Sequence, residues 1–268
     1  MHGDQRAVVT GASRGIGQAI ARRIAADGGR VALLARHQDE VEQAAAEIGA
    51  RCDGAARAFA ADVRSLESVT AATAAAIEWM GAPTLLVNNA GTGGSSGDWW
   101  EDDPDVWWEC IESIVRGAYN ATRVVLPSMI AAGGGRIVNI ASLTGVRSAA
   151  WGDATSTAKT ALIRQAENLH AAAGDRGIRS FALHPGIVRT ALLDGYRRNP
   201  SVAAMFDSIP DAAYSAKDVP AEAVSRIASG EFDGFSGRML DATSLDALKA
   251  DEASLTPDSL KLRLTPLG

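Results

Sequence analysis

Cysteine is nearly missing from this chain. Cys52 and Cys110 are the only two in 268 residues, and neither belongs to a CxxC pair or a Cys/His grouping. A disulfide framework and a structural zinc site are therefore excluded, and the expected setting is a reducing cytoplasm with no metal centre. Basic charge is also short: 26 Lys+Arg face 32 Asp+Glu, a net charge of −6. The basic face of a general nucleic-acid binder is absent, although a local pocket for one phosphate is not. Lysine occurs only at positions 159, 217, 249 and 261. No apolar run approaches the roughly 20 residues of a membrane span, and the start, Met1 to Gln5, has no charged-then-apolar leader, so neither span nor leader is expected. Aromatic residues make up only 5%, yet four of the six tryptophans crowd at Trp99, Trp100, Trp107 and Trp108.

What is abundant is alternation. Short runs rich in Val, Ile and Leu precede Ala-rich segments with helical spacing. Strands are predicted at Arg6 to Thr10, Arg30 to Ala35, Arg57 to Ala60, Thr84 to Val87, Gly135 to Ile140, Arg179 to His184 and Ser236 to Leu240. Helices are predicted at Gly15 to Ala26, Gln38 to Ile48, Leu66 to Met80, Pro104 to about Ala131, Ala154 to Ala172 and Ala221 to Ala228, with Pro127 kinking or ending the longest. Strand–helix repetition implies one α/β domain: a doubly wound parallel sheet of about seven strands, buried on both faces by helices. The core domain is expected over residues 1–241, with 242–268 a tail packed on the same domain or on a neighbouring subunit. Two stretches look irregular, Thr92 to Asp103 and the tail from Ala242, whose Leu260, Leu262 and Leu264 are candidates to cover the site or a neighbour.

Between the first predicted strand and helix lies Thr10-Gly11-Ala12-Ser13-Arg14-Gly15-Ile16-Gly17. Gly11 permits a tight exit from the strand, Gly15 lets backbone approach a pyrophosphate, and Gly17 lets the helix pack on the sheet. Backbone N–H groups and the helix N-terminus then face an anion. The spacing is GxxxGxG, and the chain here closely resembles the short-chain dehydrogenase/reductase family. Further matches follow in order: Asp62-Val63, Asn88-Asn89-Ala90-Gly91, and Pro185-Gly186-Ile187-Val188-Arg189-Thr190. The resemblance spans about residue 5 to residue 241 and implies a Rossmann-type fold that binds a nicotinamide dinucleotide. It implies that Gly11, Ser13, Arg14, Gly15, Ile16 and Gly17 cradle the phosphates, and that Asp62 bonds the adenine beside Val63. It further implies that Asn89, Ala90 and Gly91 border the ribose, that one asparagine of the run ties the central strands, and that Pro185, Gly186, Ile187 and Thr190 hold the nicotinamide.

The second predicted strand ends without an acidic residue to grip both ribose hydroxyls; Arg36 follows it directly, and Arg14 stands in the glycine loop. Two guanidinium groups favour a 2′-phosphate, so NADP(H) is preferred to NAD(H).

The resemblance also implies a serine, a Tyr-x-x-x-Lys pair and an asparagine as reacting groups. Ser142 matches the serine and Lys159 the lysine, which would also hold the nicotinamide ribose. The position thirteen after Ser142 and four before Lys159 is Thr155, and the asparagine position falls on Ile114. A threonine hydroxyl is far less acidic than a phenol and shorter in reach. Catalytic candidates are thus Ser142, Thr155 and Lys159, with Tyr196, His184 and Asp153 as replacement groups. Trp99, Trp151, His184 and Tyr196 are candidates to line a substrate pocket, and Trp100 is weighed with Trp99; Trp107 and Trp108 fit burial or a subunit contact better. Glu101, Asp102, Asp103 and Asp105 suit a helix start, not a metal. The leading expectation is a reductase of C=O or C=N in an apolar or aromatic specialised metabolite. A non-redox cyclase, dehydratase or isomerase retaining bound cofactor is the alternative, and a catalytically silent NADP(H)-binding protein is the third. The expected partners are a small-molecule substrate and further copies of the chain, as homodimer or homotetramer through Ala-rich 154–172.

Overall fold

The structure is a computed structural model that describes residues 5–94 and 98–263. Leu264 of the predicted tail and the middle of the 92–103 stretch lie outside the described residues. Seven strands form one parallel sheet: β1 (Arg6–Thr10), β2 (Arg30–Ala35), β3 (Ala56–Ala60), β4 (Leu85–Asn88), β5 (Gly135–Ile140), β6 (Ile178–His184) and β9 (Arg238–Asp241), in the order β3-β2-β1-β4-β5-β6-β9. The order reverses between β1 and β4. At such a switch point the connections leave in opposite directions and open a crevice at the carboxyl ends of the strands.

Alternate residues along each strand explain the layers. Ala7 and Val9 of β1 face one side, where they pack with α1 (Gly15–Ala26), α2 (Gln38–Gly49) and α9 (Asp218–Ala228). Val8 faces the other side, against α3 (Leu66–Met80) and α5 (Gly117–Ala131). Because both faces are covered, β1 and β4 are fully buried after their first residue, which is why they read as unbroken apolar runs.

The helix predicted from Pro104 is α4 (Pro104–Ile111), a π-helical turn at Glu112–Arg116, and then α5. Asp103 caps its start, accepting a 2.9 Å hydrogen bond from the Asp105 N–H. The expected end near Ala131 is where α5 stops, and of the two effects allowed for Pro127, ending the helix does not occur, since α5 runs through it. Proline removes only its own bond to the carbonyl four residues back, and packing of Val125 and Met129 under the sheet holds the rest.

Four further helices follow in chain order. The longest, α6 (Asp153–Ala173), packs on β5 and β6; α7 (Ala191–Tyr196) and α8 (Pro200–Asp207) follow β6, and α10 (Leu245–Ala250) follows β9. Between them β7 (Ile187–Val188) pairs in parallel with β8 (Tyr214–Ser215). The short elements α7, α8, α10, β7 and β8 were not predicted. Each is too brief to show a period, and the apolar residues Leu193, Tyr196, Val202 and Phe206 of α7 and α8 form a separate small core.

The tail returns along the domain edge. Met239 N–H donates to Leu260 O at 2.8 Å, and Leu262 N–H donates to Glu167 Oε1 on α6 at 2.7 Å. Glu167 is buried and also pairs with Arg164 at 2.7 Å and Arg263 at 2.9 Å. Among the described residues, no helix is long and apolar enough to cross a membrane, and no group of three or more His, Cys, Asp or Glu is placed to hold a metal.

Candidate functional site

A groove of about 500 Å³ opens at the switch point, large enough for a sizeable organic ligand. Its floor is the turn from β1 to α1. Gly11 and Gly15 adopt positive φ, +63° and +65°. A Cβ on Gly11 would sit 2.8 Å from Ala90 Cα, so the turn and the Asn-Asn-Ala-Gly run touch backbone to backbone. Above Gly15 the nearest atom to a Cβ is Thr190 Cγ2, 3.9 Å away, which leaves a cradle open between loop and Thr190. The first turn of α1 has no side-chain cap and no acidic residue. Its free N–H groups face that cradle, an arrangement suited to a phosphate. The residues present therefore fit a dinucleotide.

Tie-bonds hold the floor. Thr10 Oγ1 accepts from the N–H groups of Asn89 and Ala90 at 3.0 and 3.1 Å, and Asn89 Nδ2 donates to Thr10 O and Gly11 O at 3.0 Å each. Asn88 Nδ2 donates to Asn139 Oδ1 at 2.9 Å, and Asn139 Nδ2 donates to Leu162 O on α6 at 3.1 Å. The asparagine run thus links β1, β4, β5 and α6. Gly17 does not line the groove. A Cβ there would fall 2.5 Å from Asn89 Nδ2, so this glycine serves close packing of helix on sheet.

At one end of the groove stand Ser13, Arg14, Ile16, Arg36, His37, Glu40, Asp62, Val63 and Arg64. Arg14 lies 3.7 Å from Glu40, and Arg36 lies 3.7 Å from Glu109. Arg64 clamps Asp62 at 2.7 Å and reaches Glu109 at 3.3 Å. The Arg64 hydrogen bond, aided by the nearby Arg36 charge, holds the Asp62 carboxyl below its usual range. Sequence reasoning missed Arg64, Glu40 and Glu109. Arg64 adjoins the Asp-Val pair and was a findable signal; Glu109 comes from α4, and only the fold brings it here.

Ser142, Thr155, Lys159 and Tyr196 do not line the groove; the first three gather near the carboxyl end of β5 and the first turns of α6. Ser142 Oγ accepts from Thr144 N–H at 3.2 Å, leaving its own proton to donate. Lys159 Nζ donates to Ile140 O at 2.6 Å, and burial holds its ammonium down to about 8. Thr155 is buried, and its hydroxyl hydrogen-bonds the Tyr196 hydroxyl. Tyr196 reaches it from the end of α7 and is itself only 4% exposed. Burial pushes the Tyr196 phenol up to about 12, partly offset by hydrogen bonds from Thr155 and the Gly94 backbone. Cys110, fully buried on α4, places Sγ 3.6 Å from Thr155 Oγ1 and donates to Thr92 O at 3.3 Å; burial raises its thiol. Ile114 is buried on the π-helical turn against Gly91, where a Cβ would meet Ile114 Cγ1 at 2.7 Å. Its neighbour Ser113, unforeseen from sequence, lines the groove and donates to Cys110 O at 3.0 Å.

Other candidates fall elsewhere. Asp153 Oδ2 accepts from Trp107 Nε1 at 2.7 Å, which ties α4 to α6. Trp151 packs edge-on against Tyr196 at 5.2 Å and against Phe206 at 5.1 Å. His184 is buried at the end of β6 with Nδ1 unpartnered, and burial lowers its pKa. Pro185, Gly186 and Ile187 lie beyond the groove walls, with Gly186 pressed on Ser215; Thr190 is in the wall. Trp99 and Trp100 are 71% and 81% exposed and do not line the groove.

Comparison with known proteins gives a consistent result. A profile of the short chain dehydrogenase family matches residues 5–201. Oxidoreductase UcpA of Salmonella typhimurium is 40% identical over 195 residues, 72% of each chain. The crystal structure of NAD+-bound xylitol dehydrogenase superposes with a TM-score of 0.82 at 27% identity, covering 90% of this chain and 98% of that one. That of a single-residue variant of actinorhodin polyketide ketoreductase with NADPH also reaches 0.82, at 28% identity, covering 90% and 96%. A seven-stranded parallel sheet of this order, a glycine cradle at its switch point and a family match across most of the chain agree. The chain belongs to the short chain dehydrogenase family and is an NAD(P)-dependent oxidoreductase.

Proposed function

We propose that this protein is an NADP(H)-dependent reductase of a C=O or C=N group in an apolar or aromatic specialised metabolite. One combination carries the reading: a groove with a phosphate cradle has Arg14 and Arg36 in its wall, while Ser142 and Lys159 stand outside that wall at the carboxyl end of β5. The first turn of α1 and Gly15 hold the pyrophosphate, Asp62 and Val63 the adenine, and Arg14 and Arg36 a 2′-phosphate. Asn89, Ala90 and Gly91 border the ribose, Lys159 turns from Ile140 O toward it, and Pro185, Gly186, Ile187 and Thr190 flank the nicotinamide. Bound in this way, the dinucleotide supplies hydride.

This chain's own residues do the rest. Ser142, already accepting from Thr144, donates its proton to the substrate oxygen in a hydrogen bond and fixes the carbonyl. Threonine stands where the family places its proton-donating tyrosine, so the proton source is non-standard. The ring cluster of Trp151, Tyr196 and Phe206 beside Thr155 supports an apolar substrate. The ketoreductase and the dehydrogenase above, one with NADPH and one with NAD+, support either dinucleotide; the two arginines select the phosphorylated one. Self-association as a dimer or tetramer is part of the reading, and light scattering at several concentrations tests it.

The test of function is direct. NADPH mixed with the protein and a panel of ketones, imines and enones is followed by the loss of its near-ultraviolet absorbance and by product analysis. Oxidation with reduced product is the expected result. Product without oxidation establishes a non-redox enzyme instead, and binding with neither establishes a silent dinucleotide-binding protein.

A further inference from the structure

We propose that Tyr196, carried in by α7, is the proton donor of this site, held in place by Thr155. The inference rests on the reductase reading above. A carbonyl that receives hydride becomes an alkoxide and needs a proton at its oxygen. The described residues offer few acids there. The Lys159 ammonium donates to Ile140 O and turns from there to the cofactor ribose, not to the substrate oxygen. The Cys110 thiol is sealed behind Thr155 and donates to Thr92 O. The Thr155 hydroxyl is too weak an acid by itself.

The Tyr196 phenol is buried as well, but it is a stronger acid than an aliphatic hydroxyl and its hydroxyl partner is Thr155 itself. It reaches the Thr155 hydroxyl from the end of α7, so a phenol stands next to the shortened side chain. Two glycines make room for it. A Cβ on Gly93 would stand 3.3 Å from Tyr196 Cζ and from its hydroxyl oxygen, and Gly94 offers a backbone hydrogen bond. The ring is fixed by edge contacts to Trp151, which in turn meets Phe206. Gly93 also lines the groove, as do Thr190, which precedes α7, and Ala191 and Leu192, which begin it. One short helix therefore touches the cofactor groove at its start and the Thr155 hydroxyl at its end.

The step balances as follows. The reduced nicotinamide dinucleotide provides hydride, whose electron pair becomes the new C–H bond. The C=O π pair moves to oxygen and forms an O–H bond with the Tyr196 proton. The phenol's O–H pair stays on Tyr196 as phenolate, which Thr155 stabilises by donating to it and which regains a proton from solvent. Burial keeps the phenol protonated, the form that carries a proton to give.

Tyr196→Phe keeps the ring packing and removes only the hydroxyl. The expected result is at least a ~100-fold fall in kcat for ketones, within the usual range for a general acid. NADPH affinity by calorimetry should stay within about twofold, with ketone KM little changed. Thr155→Val should lose part of the rate and Thr155→Ser should restore it. A second readout needs no cofactor: carbon-13 NMR of tyrosine Cζ in the free protein. The Tyr196 signal, assigned by its loss in Tyr196→Phe, should remain that of a neutral phenol at pH ~10, the midpoint of an ordinary tyrosine. Ketone turnover unchanged in Tyr196→Phe, or Tyr196 ionising at or below the ordinary tyrosine midpoint of about 10, overturns the inference and leaves the reductase reading standing. Failure of the unaltered protein to bind NADPH overturns the reductase reading itself.

Discussion

Replacing Arg36 with alanine should separate the two nicotinamide cofactors. Arg36 is the first residue past β2, its side chain is 41% exposed, and its Nη1 lies 3.7 Å from Glu109 Oε1. A hydrogen bond to a charged group contributes about 1.5–3 kcal/mol. Exposure to water and competition from Glu109 push Arg36 to the low end of that range. A loss of about 1.5 kcal/mol is roughly tenfold in affinity. Arg36→Ala should therefore weaken NADPH binding about tenfold and leave NADH, which lacks the 2′-phosphate, within about twofold. Glu109→Gln should do the reverse, since it frees both Arg36 and Arg64. Titration calorimetry with each cofactor measures this. Repeating it from about 0.1 M to 1 M salt should narrow the preference, because the screening length shrinks from about 10 to 3 Å. Equal losses for NADPH and NADH in Arg36→Ala would refute the assignment of this end of the groove to a 2′-phosphate.

Three more outcomes are expected. Asn139→Ala removes a 2.9 Å bond from Asn88 and a 3.1 Å bond to Leu162 O in a buried site; two such bonds and the carbonyl left unpaired amount to about 3 kcal/mol, so the Tm should drop by about 6–12 °C, and a shift under about 2 °C in a thermal melt would contradict the tie-bond account. Lys159 is ordinarily protonated to 10.5 but holds at about 8 here, so its ammonium is lost as pH rises through 8; NADPH affinity, followed by fluorescence titration, should fall from pH 7 to 9 and become flat over that range in Lys159→Met. The same depression means the unfolded chain binds the extra proton between about 8 and 10.5, so this group's contribution to stability grows with pH across that window; a urea midpoint that falls there more steeply in the native protein than in Lys159→Met would count against it. Gly17→Ala forces a Cβ to 2.5 Å from Asn89 Nδ2, costing about 1–3 kcal/mol by overpacking and displacing Asn89 from the groove floor; a variant with unchanged Tm and unchanged NADPH affinity would show that α1 has slack.

Much of the frame was readable in the chain because each element carries its own periodic pattern. Strands β1, β2 and β5 and helices α1 and α3 have the bounds their sequences suggest. Their edges are punctuated by glycine or by Ser65, whose hydroxyl accepts from Ser68 N–H. The substrate side was harder to read. Residues 187–215 form β7, α7, α8 and β8, pieces too short to show a period and held by a small ring cluster instead of the main core. Trp99 and Trp100 read as pocket walls in one dimension, yet they project into solvent. No local pattern says which way a short helical turn will face.

The sequence by itself determined the architecture, the place of the anion cradle and the absence of tyrosine at position 155. These follow from hydrophobic alternation, glycine stereochemistry and residue identity, which are all local properties. Only tertiary structure decided that Glu109 pairs with the groove residues Arg36 and Arg64, that Asp153 is engaged by Trp107, and that the Tyr196 phenol meets Thr155 from 41 residues away. Those meetings depend on where α4 and α7 settle on a finished sheet. The free energy that puts them there comes from packing between distant segments, and no stretch of chain carries that information alone.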